Sequence, residues 1–214
     1  MGIDYNSIIT TDGLVFFLDA ANPRCYSGSG LTANGLIGGI GGTLVNGVGF
    51  SSFNNGSFFF DGSNDFIRIS NNDLLSSVYT QNIWFKLNNT GPCSLVDTSY
   101  SGCLIYSNKV DFYYTTAPPN FLSSNFNFLT NNWYMINLVR GVNVKSIYVN
   151  GNLIGSVNSS DSYDTPDTTL FIGGNKGASE FMNGNISQVQ IYNRALSATE
   201  ILQNYNATKR RYGL

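Results

Sequence analysis

The sequence predicts an all-β protein, two antiparallel sheets packed as a sandwich and closed by one short C-terminal helix. Three observations carry that expectation. Short strand-like runs recur along the chain with turn residues between them. Good helix formers are scarce: Glu occurs only at Glu180 and Glu200, while Asn, Ser, Gly and Thr fill the polar positions. One segment alone, starting at Ser197, carries the chemistry that begins a helix.

Leu14 to Leu18 reads as the first strand. Between Gly28 and Gly56 glycine is dense, and the absence of G-x-G-x-x-G or G-K-[ST] leaves loops and bent edge strands rather than a phosphate cradle. Phe58 to Phe60 follows, then Phe66 to Ser70, where Ile67 and Ile69 share a face and Arg68 points the other way. Asn82 to Leu87 is next, then Cys103 to Ser107 and Lys109 to Thr116, a pair turning at Ser107-Asn108. Trp133 to Arg140 is apolar at almost every position, which suits a strand covered on both faces. Val144 to Val149 and Asn152 to Val157 flank Asn150-Gly151, a strong hairpin signal because both turn residues tolerate positive φ. Thr169 to Ile172 and Ile186 to Tyr192 complete the strands; in the last, Val189 and Ile191 share one face, Gln188 and Gln190 the other. Ser197 and Glu200 then form a capping box, Leu196 and Ile201 its hydrophobic staple, and Lys209, Arg210 and Arg211 suit the negative end of the helix dipole.

The 214 residues suffice for one all-β unit, and no linker divides them. Residues 1–12 read as an N-terminal arm and residues 13–214 as the single domain. Charged residues make up only 11% of the chain and the net charge is −2, so the basic footprint of a nucleic-acid binder is missing. No apolar run reaches the ~20 residues of a membrane span, and the N-terminus lacks a secretion signal. With no His in the sequence, Ser-His-Asp and Cys-His nucleophile systems and imidazole metal sites are excluded. Cys25, Cys93 and Cys103 read as reduced, buried thiols; Cys93 and Cys103 could also close a hairpin loop.

Glycoside hydrolysis needs two carboxyl groups flanking one bond, and no strand here carries acidic residues at alternating positions. No catalytic residues and no organic cofactor are therefore expected. Asp161, Asp164 and Asp167 cluster in a Ser/Thr/Pro loop; they could gather around calcium or cap local turns. Sugar binding asks for aromatic rings beside amides and carboxylates, and Tyr113, Tyr114, Gln188 and Gln190 could line an exposed sheet face.

The run from Gly184 to Ile201 resembles the closing strand and helix of concanavalin A-like, laminin G-like jelly rolls. Gly13 to Pro23 resembles their opening strand, and Phe60-Asp61-Gly62, Asp65-Phe66-Ile67, Val149-Asn150-Gly151 and Ile172-Gly173-Gly174 match in order. The resemblance spans residues 12 to 214 and implies a jelly-roll sandwich. Leu31 to Leu36 departs from it, standing where a Trp-Asp stretch is usual. The opening run, together with Tyr205-Asn206-Ala207 and the Tyr-Gly-Leu tail, looks most like versions found in tailed-phage structural proteins. That likeness implies a non-enzymatic virion protein, assembled in the host cytoplasm and displayed as a capsid decoration, head fibre or tail fibre component. The expected partners are capsid or fibre subunits and further copies of the chain, docked through Met1 to Asp12 or the basic Lys209 to Leu214 tail. The alternative is an adhesin that recognises cell-surface glycans.

Overall fold

The structure, a computed structural model, describes residues 8–70, 74–98, 101–114, 121–159 and 169–214. The strands, in chain order, are β1 (Leu14–Asp19), β2 (Thr32–Asn34), β3 (Gly41–Val45), β4 (Gly49–Ser51), β5 (Ser57–Asp61), β6 (Phe66–Ser70), β7 (Tyr79–Leu87) and β8 (Cys93–Asp97). They continue as β9 (Ser101–Ile105), β10 (Lys109–Tyr114), β11 (Phe121–Asn125), β12 (Trp133–Arg140), β13 (Val144–Val149), β14 (Asn152–Asn158), β15 (Thr169–Ile172) and β16 (Asn183–Tyr192). One helix, α1 (Ala198–Thr208), follows, and a tight helical turn (Lys209–Tyr212) ends the chain.

The strands form two eight-stranded antiparallel sheets. Sheet one runs β14-β13-β12-β7-β16-β5-β4, with β1 also on β16; sheet two runs β11-β10-β9-β8-β15-β6-β3-β2. The ten-residue β16 is the spine of sheet one. One of its edges pairs with β7. The other is shared, first by β5 at Asn183 to Ile186, then by β1 at Gln188 to Tyr192. Ser187 sits at the changeover, accepting from Ala20 N with its carbonyl (3.0 Å) and donating its hydroxyl to the Gly56 carbonyl (2.8 Å).

Strand alternation builds the core. Ile67 and Ile69 are fully buried between the sheets, while Arg68 is exposed on the far side. Burying such aliphatic chains stabilises by about 1.5–3 kcal/mol each. Phe16, Phe58, Phe60, Phe85 and Phe112 join them from both sheets. All eight residues of β12 are buried, as its nearly continuous apolar run predicts: Ile136 and Leu138 enter the core, and Met135 and Val139 pack under the C-terminal segment. Asn150 and Gly151 take φ of 51° and 81°, which closes the β13–β14 hairpin. The glycine-dense stretch supplies β2, β3 and β4, so it forms one edge of each sheet.

Cys25, Cys93 and Cys103 are free and buried. Burial pushes the Cys93 thiol up to about 12 and Cys25 to about 11, and it raises Cys103 as well. Cys93 and Cys103 therefore act as small core side chains, and no bridge closes the β8–β9 hairpin.

Candidate functional site

The sandwich has two outer faces, and the chain treats them differently. On sheet one, Asn82 and Trp84 of β7 lie beside Gln190 and Gln188 of β16 and Asn137 and Met135 of β12. α1 and the final turn lie across them. The Trp84 indole stacks on Tyr212 at 4.0 Å between ring centroids and on Tyr205 at 5.8 Å. Its Nε1 donates to Thr208 Oγ1 (2.9 Å). Arg211 bridges to Asp19 (2.8 Å) and donates to the carbonyls of Gly56 and Asn54. At the helix start the predicted capping box is present, and the Arg194 guanidinium clasps Glu200. The hydrogen bonds from Arg194 hold the Glu200 carboxyl down at about 2. The described end of the N-terminal arm is strapped to the helix too: Thr10 N donates to Asn204 Oδ1 (2.7 Å), and Gln203 donates to the Ile8 carbonyl (2.8 Å).

This arrangement corrects one expectation and places a second. Gln188 and Gln190 do share a face, but it is covered, not exposed. Gln190 Oε1 accepts from Asn82 (3.2 Å) and Gln188 Nε2 donates to Asp19 (2.8 Å). The Lys209 to Leu214 tail, expected as part of a docking surface, is folded onto the sheet through Arg211 and Tyr212, with Arg210 and Leu214 left exposed.

Sheet two carries a continuous register row across its outer face. Thr43 pairs with Arg68, Arg68 with Phe171, and Phe171 with Asp97. Asp97 then pairs with Gly102, Gly102 with Tyr113, and Tyr113 with Phe121. From β6 to β11 the row spans about 24 Å at a strand spacing of about 4.8 Å. Gly102 is essential to it, since a Cβ there would overlap both Tyr113 Oη and Asp97 Oδ1. Without one, the Tyr113 hydroxyl passes over β9 and donates to Asp97 (2.5 Å). The Tyr113 ring lies 5.9 Å from Phe121, which is 44% exposed.

Asp97 is fully buried, and desolvation pushes its carboxyl up to about 6, against the hydrogen bond from Tyr113 and the charge of Lys176. Burial, the Asp97 charge and their shared hydrogen bond raise the Tyr113 phenol far above its usual range. Asp97 thus fixes the tyrosine ring rather than meeting solvent. The 173–182 loop is sewn to β8 beside this pair by Gly173 N to the Leu95 carbonyl (3.0 Å) and Ser94 N to the Glu180 carbonyl (2.8 Å). It brings Phe181 to Phe66, whose ring also lies 5.8 Å from Phe171.

Of the four sugar-binding candidates, Tyr113 lies on this row, and Gln188 and Gln190 lie on the opposite sheet. Tyr114 ends β10, and its side chain is outside the described part. Asp161, Asp164 and Asp167 lie outside the described residues. Among the described residues no three acidic or cysteine side chains gather in a way that could hold an ion. Asp97, Phe171, Phe121 and Gly102 were not anticipated; a glycine inside a strand was the available signal, since it marks close approach.

Residues 61–202 match the family model of the concanavalin A-like lectin/glucanases superfamily. Compared with curated proteins, the sequence has no significant match. Among solved structures, the botulinum neurotoxin serotype D binding domain is similar at 17% identity and a TM-score of 0.71, covering 91% of this chain and 51% of that one. The binding domain of botulinum neurotoxin DC, in complex with SialylT, is similar at 15% identity and a TM-score of 0.70, covering 92% and 52%. Trypanosoma rangeli sialidase in complex with the inhibitor DANA is similar at 16% identity and a TM-score of 0.71, covering 95% and 34%. The chain therefore spans about half of the toxin domains and a third of the sialidase.

Proposed function

Because the chain belongs to the concanavalin A-like lectin/glucanases superfamily, we propose that it is a non-catalytic carbohydrate-recognition module that holds an oligosaccharide against the outer face of sheet two. The observation that carries this reading is the register row from Arg68 to Phe121. Rings set at intervals along a row can stack on the apolar faces of successive sugars, and polar neighbours fix their hydroxyls. The SialylT-bound toxin domain and the inhibitor-bound sialidase share the fold, which supports a sugar as the ligand class.

The carboxylates of this face are engaged otherwise than in sugar cleavage. Asp97 is buried against Tyr113, and Asp111 accepts from Lys109 (2.9 Å) and Ser123 (2.5 Å). Glu180, the third described carboxylate here, accepts from Asn175 (2.9 Å) and Ser179, so each of the three is engaged by donors of its own chain, which supports the non-catalytic reading. Reducing-sugar release from polysaccharide, abolished by Asp97→Ala, would overturn the non-catalytic reading.

The setting we propose is the exterior of a phage particle, as a capsid decoration, head fibre or tail fibre component. The opening run Gly13 to Pro23, with Tyr205-Asn206-Ala207 and the Tyr-Gly-Leu tail, supports it through its likeness to tailed-phage structural proteins. Two measurements test the whole reading. A glycan array with the wild-type protein and Tyr113→Ala should show binding that the variant loses while it still unfolds cooperatively, at a melting temperature lowered by loss of the Asp97 hydrogen bond. Mass spectrometry of purified particles should find the chain at fixed copy number. Unchanged array binding in Tyr113→Ala would reject the face; absence from particles would reject the setting.

A further inference from the structure

The charges on the sheet-two face are unequally matched. Each described carboxylate there already has donors: Asp97 from Tyr113, Asp111 from Lys109 and Ser123, Glu180 from Asn175 and Ser179. Of the cations, Lys109 is held by Asp111, and Lys176 faces Asp97. Arg68 differs. It is exposed, and it has no hydrogen-bond or ion-pair partner among the described residues. It stands at the middle of β6, with Phe171 directly opposite on one side and Thr43 on the other. Phe66 and Ser70 are its neighbours along the strand on the same face, and Thr169 pairs with Ser70. A planar guanidinium with five donors, set among ring faces and hydroxyls, matches a carboxylate or sulfate carried by a sugar ring. The rings would take the sugar's apolar face, and the hydroxyls its polar rim.

We propose that Arg68 makes the sheet-two face selective for acidic saccharides, binding the anionic substituent while Phe171 and Phe66 flank the sugar that carries it. This deepens the carbohydrate reading and rests on it. Charge-assisted hydrogen bonds of this kind are strong enough to give about tenfold discrimination or more.

The test uses the whole chain and three oligosaccharides of equal length: one bearing glucuronate, one bearing sulfate and one neutral. Calorimetric affinities are measured for the wild type, Arg68→Gln and Arg68→Lys, with melting temperatures to confirm folding. The wild type should bind at least one acidic saccharide about tenfold more tightly than the neutral one. Which acidic saccharide is favoured identifies the anion. Arg68→Gln should abolish that preference, weakening acidic binding far more than neutral binding, and Arg68→Lys should restore part of it, because an ammonium keeps charge but loses the fork. Equal binding of acidic and neutral sugars, or a preference that survives in Arg68→Gln, overturns this inference and leaves the carbohydrate reading intact. Binding of none of the three by the wild type overturns both.

Discussion

The two outer faces of the sandwich are built from the same alternating strands yet end in opposite states. Sheet one presents Trp84, Trp133 and Met135, and the chain covers them with Tyr205 and Tyr212. Sheet two presents Tyr113, Phe121, Phe171 and Phe66, and α1 packs on the other side of the molecule. The difference teaches that an aromatic on a sheet face is not by itself a binding group. What decides is whether the chain's own tail satisfies it.

The largest expected effect follows from that cover. Trp84→Ala should cost about 3–5 kcal/mol in denaturant unfolding, because a buried ring and its stacked partners are lost together. Phe121→Ala, on the open face, should cost under about 1 kcal/mol. Equal costs would break the comparison. Next, Gly102→Ala should destabilise by about 1–3 kcal/mol, since the new methyl group must displace Tyr113 or Asp97. It should also weaken any saccharide binding that depends on Tyr113; an unchanged affinity would show that the tyrosine's placement is immaterial. Ser197→Ala removes the helix cap and should cost about 1 kcal/mol by the same denaturant measurement, without altering the sheet-two face.

In pH dependence the two faces oppose one another. Glu200, lowered to about 2 from 4.5, contributes stability that is present above pH 4.5 and lost as pH falls toward 2. Asp97, raised to about 6 from 3.8, contributes stability that is full below pH 3.8 and lost as pH rises through 6. Melting temperatures across pH 2 to 8 should therefore lose their acid-side fall in Glu200→Gln and their decline between about pH 4 and 6 in Asp97→Asn. A profile that stays unchanged in either variant would contradict the assigned environment.

Much of the local structure was legible in the sequence. The capping box at Ser197, the turn at Asn150-Gly151 and the opposed directions of Ile67 and Arg68 all follow from residue type and spacing. The strands β2, β3, β4, β8 and β11 were not, because they are only three to five residues long and owe their pairing to neighbours rather than to their own propensity. Gln188 and Gln190 show the same limit in another form. Their alternation could be read, but the helix that covers them docks from outside that strand. The candidate site was least visible. Arg68, Asp97, Gly102, Tyr113 and Phe171 are spread over a hundred residues of sequence, and only the registers of five neighbouring strands align them.

The strapping of both described ends has a mechanical consequence. Ile8 is held by Gln203 on the helix, and the last turn is pinned through Arg211 to Asp19, so residues 8 and 214 lie on the sheet-one side. A tether joined at either end pulls against that side alone. Immobilised by a tag joined to Leu214, the domain should stand with the Arg68–Phe121 row pointing away from the support, free to meet whatever approaches.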